Sequence, residues 1–396
     1  MKNKRVLLFH MDSLSHPGGA EKVLCDMSNA LCLRNWDVEV LGWDPEATDL
    51  PFPVEESVRF ENAALSAPAF LRDSSVLDRV VGCLGLTKER RHELRRLHSL
   101  KYKARYVRQK LEAYAPDVVV AFSPEAHYLL KKHLNWDGPV VITLHEGPKK
   151  RFARKHTGAL RETLSEATVI QVLLPEYARQ LRDYFAPKRV VVIPNAVPQF
   201  EFASELTVPQ VICVGRIYPS KRQDLLIEAF AELTEDFPQW RLKLLGGAPE
   251  GDPFARKVRE MIESRGLQDK VILAGVSDRV EKELLESSIF AFPSANEGFS
   301  LALTEAMSAG LPVVACLDCE SVVAMLNTEE ALMVEPKPNE LAGALRKLMV
   351  SPTLRKAMGQ RCKEQAKQYS PEEVWSAWDR ILGELVDYKR ALKGEC

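Results

Sequence analysis

Strand-length apolar runs alternate with helical stretches along almost the whole chain, and this alternation restricts the fold more than any other feature. In the first half, Arg5–Phe9, Val38–Leu41, Val118–Ala121, Val140–Leu144, Val169–Leu173 and Val190–Ile193 read as strands. In the second half, Val211–Val214, Arg241–Leu245, Lys270–Leu273, Ile289–Phe292, Pro312–Ala315 and Ala331–Val334 do. Such alternation is the signature of parallel sheets with helices packed on their faces. The chain has 396 residues, long for a single core. The expected fold is therefore α/β, with two doubly wound, Rossmann-like domains facing across a cleft. The break falls near Pro198–Pro209, a short segment of scattered polar residues, which assigns 1–205 to the first domain and 206–370 to the second. Val374, Trp378, Ile381 and Leu385 recur at helical spacing and predict a final amphipathic helix over 371–396. Ligands of open α/β sheets bind outside the carboxyl ends of the strands.

Composition narrows the class. Hydrophobic residues make up 46% and charged residues 28%, so the chain is expected to be globular and soluble. No apolar run reaches 18 residues, and Val6–Phe9 is too short for a signal-peptide core, so a cytoplasmic protein is expected. The cysteines are scattered, mostly in apolar runs (Cys25, Cys32, Cys213), which suits buried, reduced thiols. Cys316 and Cys319 form the one close pair, and no second pair matches it as a zinc site would require. Residues 1–200 hold 30 Lys and Arg against 24 Asp and Glu, and the remainder holds 24 against 31. That division argues against wholesale nucleic-acid binding and for a local anionic partner of the first domain.

The densest chemistry lies in Asn296-Glu297-Gly298-Phe299-Ser300-Leu301-Ala302-Leu303-Thr304-Glu305. It follows the apolar run Ile289–Phe292 and leads into helical apolar spacing, so it reads as strand, tight turn, helix. A helix start leaves backbone N–H groups without partners and carries partial positive charge, so phosphate binds there readily. Gly298 permits close approach to the backbone, and the N–H groups of Phe299, Ser300 and Leu301 are candidates to cradle a diphosphate. Carboxylates repel phosphate, so Glu297 and Glu305 fit hydrogen bonds from hydroxyl groups on either side of it. Phosphates flanked by two hydroxyl-rich rings describe a nucleotide sugar. The alternative is an ordinary surface helix with a capping acid.

Three further turns follow strands. His16-Pro17-Gly18-Gly19 is a glycine turn ahead of a helix carrying Val23, Leu24 and Met27. Gly215-Arg216-Ile217-Tyr218-Pro219-Ser220-Lys221 places two cations after the strand ending at Val214. Arginine offers a fork and lysine a point charge, a combination suited to a diphosphate. Leu244-Leu245-Gly246-Gly247 ends a strand without any dinucleotide or P-loop fingerprint.

The segment from Glu297 to Glu305 resembles the Glu-x7-Glu motif of the retaining glycosyltransferases of family 4, which have the GT-B fold, and the resemblance covers nearly the whole chain. It implies a nucleotide-sugar donor held between two Rossmann-like domains, with the final helix crossing back to the first. Arg216 and Lys221 match the family's phosphate clamp, with Lys221 favoured over Arg222 by spacing. By the same resemblance Gly18 and Gly19 face the donor diphosphate, Gly246 lies near the nucleotide, and Val276, in Ala274–Ser277, lies where the backbone reads the base. Glu297 would position the donor sugar and Glu305 the ribose hydroxyls. His145, ending the strand Val140–Leu144, matches a cleft-facing histidine able to bind a hydroxyl. The family's other histidine position carries Phe122 here, and His127 lies five residues further on. Leu317-Asp318-Cys319-Glu320 stands where many relatives carry paired glycines. The resemblance implies front-face displacement. No Asp-x-Asp occurs, so no metal and no further cofactor is expected.

From Lys88 to Lys110 ten basic residues face only Glu89 and Glu93. With Leu94, Leu97, Ala104, Val107 and Leu111 they predict a basic amphipathic helix over 88–111. Either it lies on an anionic membrane, or it packs on the core with a solvated outer face. Lys149, Lys150, Arg151, Arg154 and Lys155 form a second cluster, which an acceptor carrying phosphate would equally explain. The expected function is a retaining glycosyltransferase, using a UDP-linked donor and a glycan or lipid-linked acceptor, in bacterial surface polysaccharide or lipopolysaccharide assembly at the inner face of the cytoplasmic membrane. A nucleotide-sugar epimerase on the same fold and a non-catalytic sugar-nucleotide-binding subunit are the alternatives.

Overall fold

The computed structural model describes residues 4–11, 14, 18–44, 46–67, 88–153 and 158–394. His16, Pro17, Arg154 and Lys155 lie outside the described residues, as do the side chains of 88–98. The chain forms two compact units, one of Met1–Pro194 with Val374–Cys396 and one of Asn195–Glu373. The boundary expected at 205/206 is thus corrected to 194/195. Residues 195–205 are tied into the second unit: Val197 N–H donates to Tyr369 O (2.8 Å), Phe200 N–H to Ser308 Oγ (2.9 Å) and Ser204 N–H to Ala309 O (2.8 Å). Polar linker composition does not reveal such backbone anchoring.

The first unit contains a seven-stranded sheet of β1 (Arg5–His10), β2 (Asp37–Gly42), β3 (Arg59–Asn62), β4 (Val118–Ala121), β5 (Val140–Leu144), β6 (Val169–Val172) and β7 (Val190–Val192), in the order β3-β2-β1-β4-β5-β6-β7. Every pairing is parallel. The central strands are near-continuous apolar runs because both faces are covered. All of β4 and β5 is buried. The helix Gly19–Cys32 buries Val23, Leu24, Met27 and Leu31, and the terminal helix Pro371–Lys393 buries Trp378, Ile381, Leu382, Leu385 and Val386. Polar ties fix that last helix within the unit: Trp36 Nε1 donates to Asp379 Oδ1 (2.7 Å), and Lys389 Nζ to Asp117 O (3.1 Å).

The second unit contains six parallel strands, β8 (Gln210–Val214), β9 (Arg241–Leu245), β10 (Val271–Gly275), β11 (Ile289–Phe292), β12 (Val313–Cys316) and β13 (Ala331–Val334). Their order is β10-β9-β8-β11-β12-β13, with parallel pairing throughout. Strand order therefore reverses between β8 and β11, as it does between β1 and β4 in the first unit. Such reversals open a crevice at the strands' carboxyl ends.

The helix Lys88–Tyr114 covers the expected basic stretch. Leu100, Ala104, Val107, Leu111 and Tyr114 are buried along one face, so this part of the apolar stripe packs into the unit. Lys101 and Arg105 are exposed on the outside. No helix among the described residues is long and apolar enough to cross a membrane.

Candidate active site

In the second unit the turns after β8 and β11 meet at the switch point. Lys221 Nζ forms an ion pair with Glu297 Oε1, and the same ammonium lies 5.9 Å from the centre of the Phe292 ring. Ala295 N–H donates to Ser220 O (2.8 Å), joining the turns through backbone as well. Both partners are mostly buried, with side-chain exposures of 22% and 12%. Pairing neutralises two charges that would be costly if desolvated alone.

Lys221 ends a short 3-10 turn, Pro219–Lys221. Buried Gln223 braces the turn from within: its Nε2 donates to Arg216 O (2.9 Å), and its Oε1 accepts from Tyr218 N–H (3.4 Å). Arg222 follows in the left-handed region at φ 52°. Its guanidinium is engaged by Asp318, with Nη1 to Oδ1 at 2.8 Å and Nη2 to Oδ2 at 2.6 Å. Arg216 is exposed, and among the described residues its side chain has no hydrogen-bond or ion-pair partner. One of these three cations is thus open, one is paired to a carboxylate of the β11 turn, and one is clamped.

Gly246 holds the neighbouring turn. Its φ is +144°, and a Cβ there would overlap the Gly215 carbonyl. The absent side chain lets the turns after β8 and β9 touch, with Gly215 N–H donating to Leu245 O and Ile217 N–H to Gly247 O, both at 2.8 Å. The structure thus shows Gly246 as the backbone contact that seats the Arg216 turn. Val276, past the end of β10, is 84% exposed.

The helix after β11 runs Leu301–Ser308. Ser300 caps it, its Oγ accepting from Leu303 N–H (3.3 Å), so this side chain is committed to the helix end. Phe299 is buried edge-on to Tyr369, with ring centres 5.4 Å apart. Among the described residues the N–H groups of Phe299, Ser300 and Leu301 donate no hydrogen bond. Glu305 is half-buried one turn inside the helix.

In the first unit a second cluster gathers at the β1/β4 reversal. Gly18 caps the helix that starts at Gly19. His10, at the end of β1 and 1% exposed, sits 3.3 Å from Glu21 Oε1 on that helix. Burial raises the Glu21 carboxyl, but adjacent His10, a backbone N–H and neighbouring charges outweigh it and leave it below the usual value. Phe122 stacks on His145 at 5.4 Å and 21°, and meets His10 edge-on at 6.2 Å. His145 Nε2 lies 2.9 Å from Thr143 Oγ1. Burial, with a smaller push from His10, lowers the His145 imidazole to about 4, so it is neutral near pH 7. His127 is fully buried in the helix Pro124–Tyr128. Arg151 bridges Glu146 (2.9 Å) and Glu125 (3.6 Å).

His10, Glu21, Gln223 and Asp318 were not among the residues expected at a site. A single histidine at a strand end or a glutamine in a helix carries no spacing signal. Among the described residues no group of three or more His, Cys, Asp and Glu side chains is placed to hold a metal ion.

Comparison with known proteins places these two clusters in context. The family described as "Glycosyltransferase Family 4" matches residues 17–199, and "Glycosyl transferases group 1" matches 198–365. A D-inositol 3-phosphate glycosyltransferase of Kineococcus radiotolerans is 30% identical over 316 residues, covering 68% of this chain and 71% of that protein. The chain belongs to the group 1 glycosyltransferases. This glycosyltransferase is also 31% identical over 253 residues to an exopolysaccharide phosphotransferase of Streptomyces coelicolor, covering 62% of the chain but only 26% of that protein. The chain thus spans about a quarter of that relative. Its fold is GT-B, like that of Anabaena Alr3699/HepE solved with UDP and glucose, which aligns with a TM-score of 0.71 at 17% identity over 95% of this chain and 99% of the other.

Proposed function

We propose that this glycosyltransferase moves a sugar from a UDP-linked donor to a glycan or lipid-linked glycan acceptor with retention of configuration, in surface polysaccharide assembly. The observation that carries the reading is the Lys221–Glu297 pair at the β8/β11 reversal, flanked by exposed Arg216 and the open N–H groups of Phe299, Ser300 and Leu301. Cations and a helix start suit a diphosphate, and carboxylates suit sugar hydroxyls. In this reading Lys221 turns from Glu297 to the diphosphate as donor enters. Glu297, released, accepts hydrogen bonds from the sugar, and Glu305 accepts them from the ribose. As the bond from C1 to the diphosphate oxygen breaks, the acceptor oxygen bonds C1 on the same face. Its proton passes to the leaving phosphate oxygen. Arg216 and Lys221 stabilise the charge that develops there, with no metal required. His145, held neutral, hydrogen-bonds a hydroxyl of the acceptor.

UDP is favoured over GDP because the solved GT-B structure of Anabaena Alr3699/HepE contains UDP and glucose. The polysaccharide setting is favoured by the Streptomyces coelicolor relative, an exopolysaccharide phosphotransferase. Exposed Lys101 and Arg105 support electrostatic contact of the long helix with an anionic membrane at the cytoplasmic face, without insertion of its packed apolar side. The test is UDP release from UDP-sugars with and without an acceptor extract, using wild type and Lys221→Ala. Acceptor-dependent release lost in the variant is expected. Sugar conversion without acceptor would favour an epimerase and overturn the reading.

A further inference from the structure

Two carboxylates reach the turn that carries Lys221. Glu297 meets the lysine itself, and Asp318 meets the next residue. Asp318 lies in the turn after β12, two residues beyond Cys316, and grips the Arg222 guanidinium with both oxygens at 2.8 and 2.6 Å. Forked pairs of this kind fix orientation as well as distance. Arg222 sits in the left-handed region at φ 52° and begins the helix Gln223–Ala231. Its guanidinium also reaches the Cys316 thiol. On the other side of Asp318, the buried Cys319 thiol reaches the backbone of Glu297. The β12 turn therefore touches both sequences whose side chains form the Lys221–Glu297 pair.

We propose that Asp318 is a positioning residue, which by clamping Arg222 holds the Pro219–Lys221 turn so that Lys221 is presented to the donor's diphosphate. The clamp also satisfies Arg222, leaving Lys221 and Arg216 as the cations that meet phosphate. The inference rests on the donor-site reading above.

The test titrates UDP into wild type, Lys221→Ala, Asp318→Asn, Asp318→Glu, Arg222→Ala and the Asp318→Asn/Arg222→Ala double variant by calorimetry, with a thermal melt of each. Asp318→Asn keeps the side chain's size, so it guards against loss of folding. Asp318→Asn and Arg222→Ala should each weaken UDP binding about five- to tenfold. The double variant should be no weaker than either single variant, because both remove one clamp, and Asp318→Glu should recover part of the loss. A structural role alone would lower the melting temperature and leave UDP affinity unchanged, and that result overturns the proposal. Tighter UDP binding by Asp318→Asn overturns it too, since Arg222 would then be a phosphate ligand that Asp318 restrains. Binding lost in Lys221→Ala but unchanged in Asp318→Asn refutes positioning and leaves the donor site standing. If wild type binds no UDP, the donor-site reading fails and this inference falls with it.

Discussion

Lys221 and Glu297 are joined as an ion pair across the point where strand order reverses in the second unit. The pair holds a cation and a carboxylate in mutual neutralisation, and under the proposed function the donor separates them. This arrangement makes opposite predictions for the two partners.

Lys221→Ala should lower kcat/KM by at least about 100-fold, the usual scale for losing one charge-stabilising donor. Global stability should fall by up to about 3 kcal/mol, since the variant leaves the Glu297 carboxylate, only 12% exposed, without this cation. Steady-state kinetics beside a urea melt check this. Near-normal turnover would remove Lys221 from the chemistry.

Glu297→Gln should abolish transfer while leaving UDP affinity equal or tighter, because Lys221 is freed for phosphate. Glu305→Ala should instead weaken UDP itself, if Glu305 reads the ribose. Titrating UDP into both variants separates the roles. Equal weakening in both would contradict the assignment.

Gly246→Ala should destabilise the second unit by roughly 2 kcal/mol or more, through both the positive φ and the overlap with the Gly215 carbonyl. The Arg216 turn should loosen with it. An unchanged melting temperature would show that the β8 and β9 turns do not touch as described.

Acid should expose the buried histidine. His127 is held neutral by burial, with nearby Lys131 adding to the effect, and its imidazole falls to about 4. A lowered histidine contributes stability above the unfolded value near 6.5, and that stability is lost as pH falls toward 4. The loss approaches about 3 kcal/mol, so wild type should destabilise more steeply than His127→Gln between pH 6.5 and 4.5 in urea melts. Parallel profiles would contradict it.

Much of this architecture was legible because buried parallel strands are written as apolar runs. Val118–Ala121 and Ile289–Phe292 need no partner to be recognised. The strand Arg59–Asn62 escaped notice because it is a short edge strand with Arg59 and Glu61 facing outward. The domain boundary escaped because its anchoring bonds, such as Val197 to Tyr369, are made by backbone far apart in sequence. Cations and acids near strand ends were visible from spacing. Their partners were not: nothing local links Asp318 to Arg222, or His10 to Glu21, before the chain folds.

A membrane contact made by charge alone should be salt-sensitive. Neutralising Arg95, Arg96, Lys101 and Arg105 should reduce flotation with anionic vesicles and leave the melt unchanged, since Lys101 and Arg105 are exposed. Undiminished flotation would remove the contact.

The most direct test of the central claim is calorimetric titration of the purified protein with UDP, GDP and ADP, repeated with Arg216→Ala. Selective binding of UDP, lost in the variant, is the predicted result. Binding of none of the three, or UDP binding indifferent to Arg216, would contradict a diphosphate site at the turn after β8.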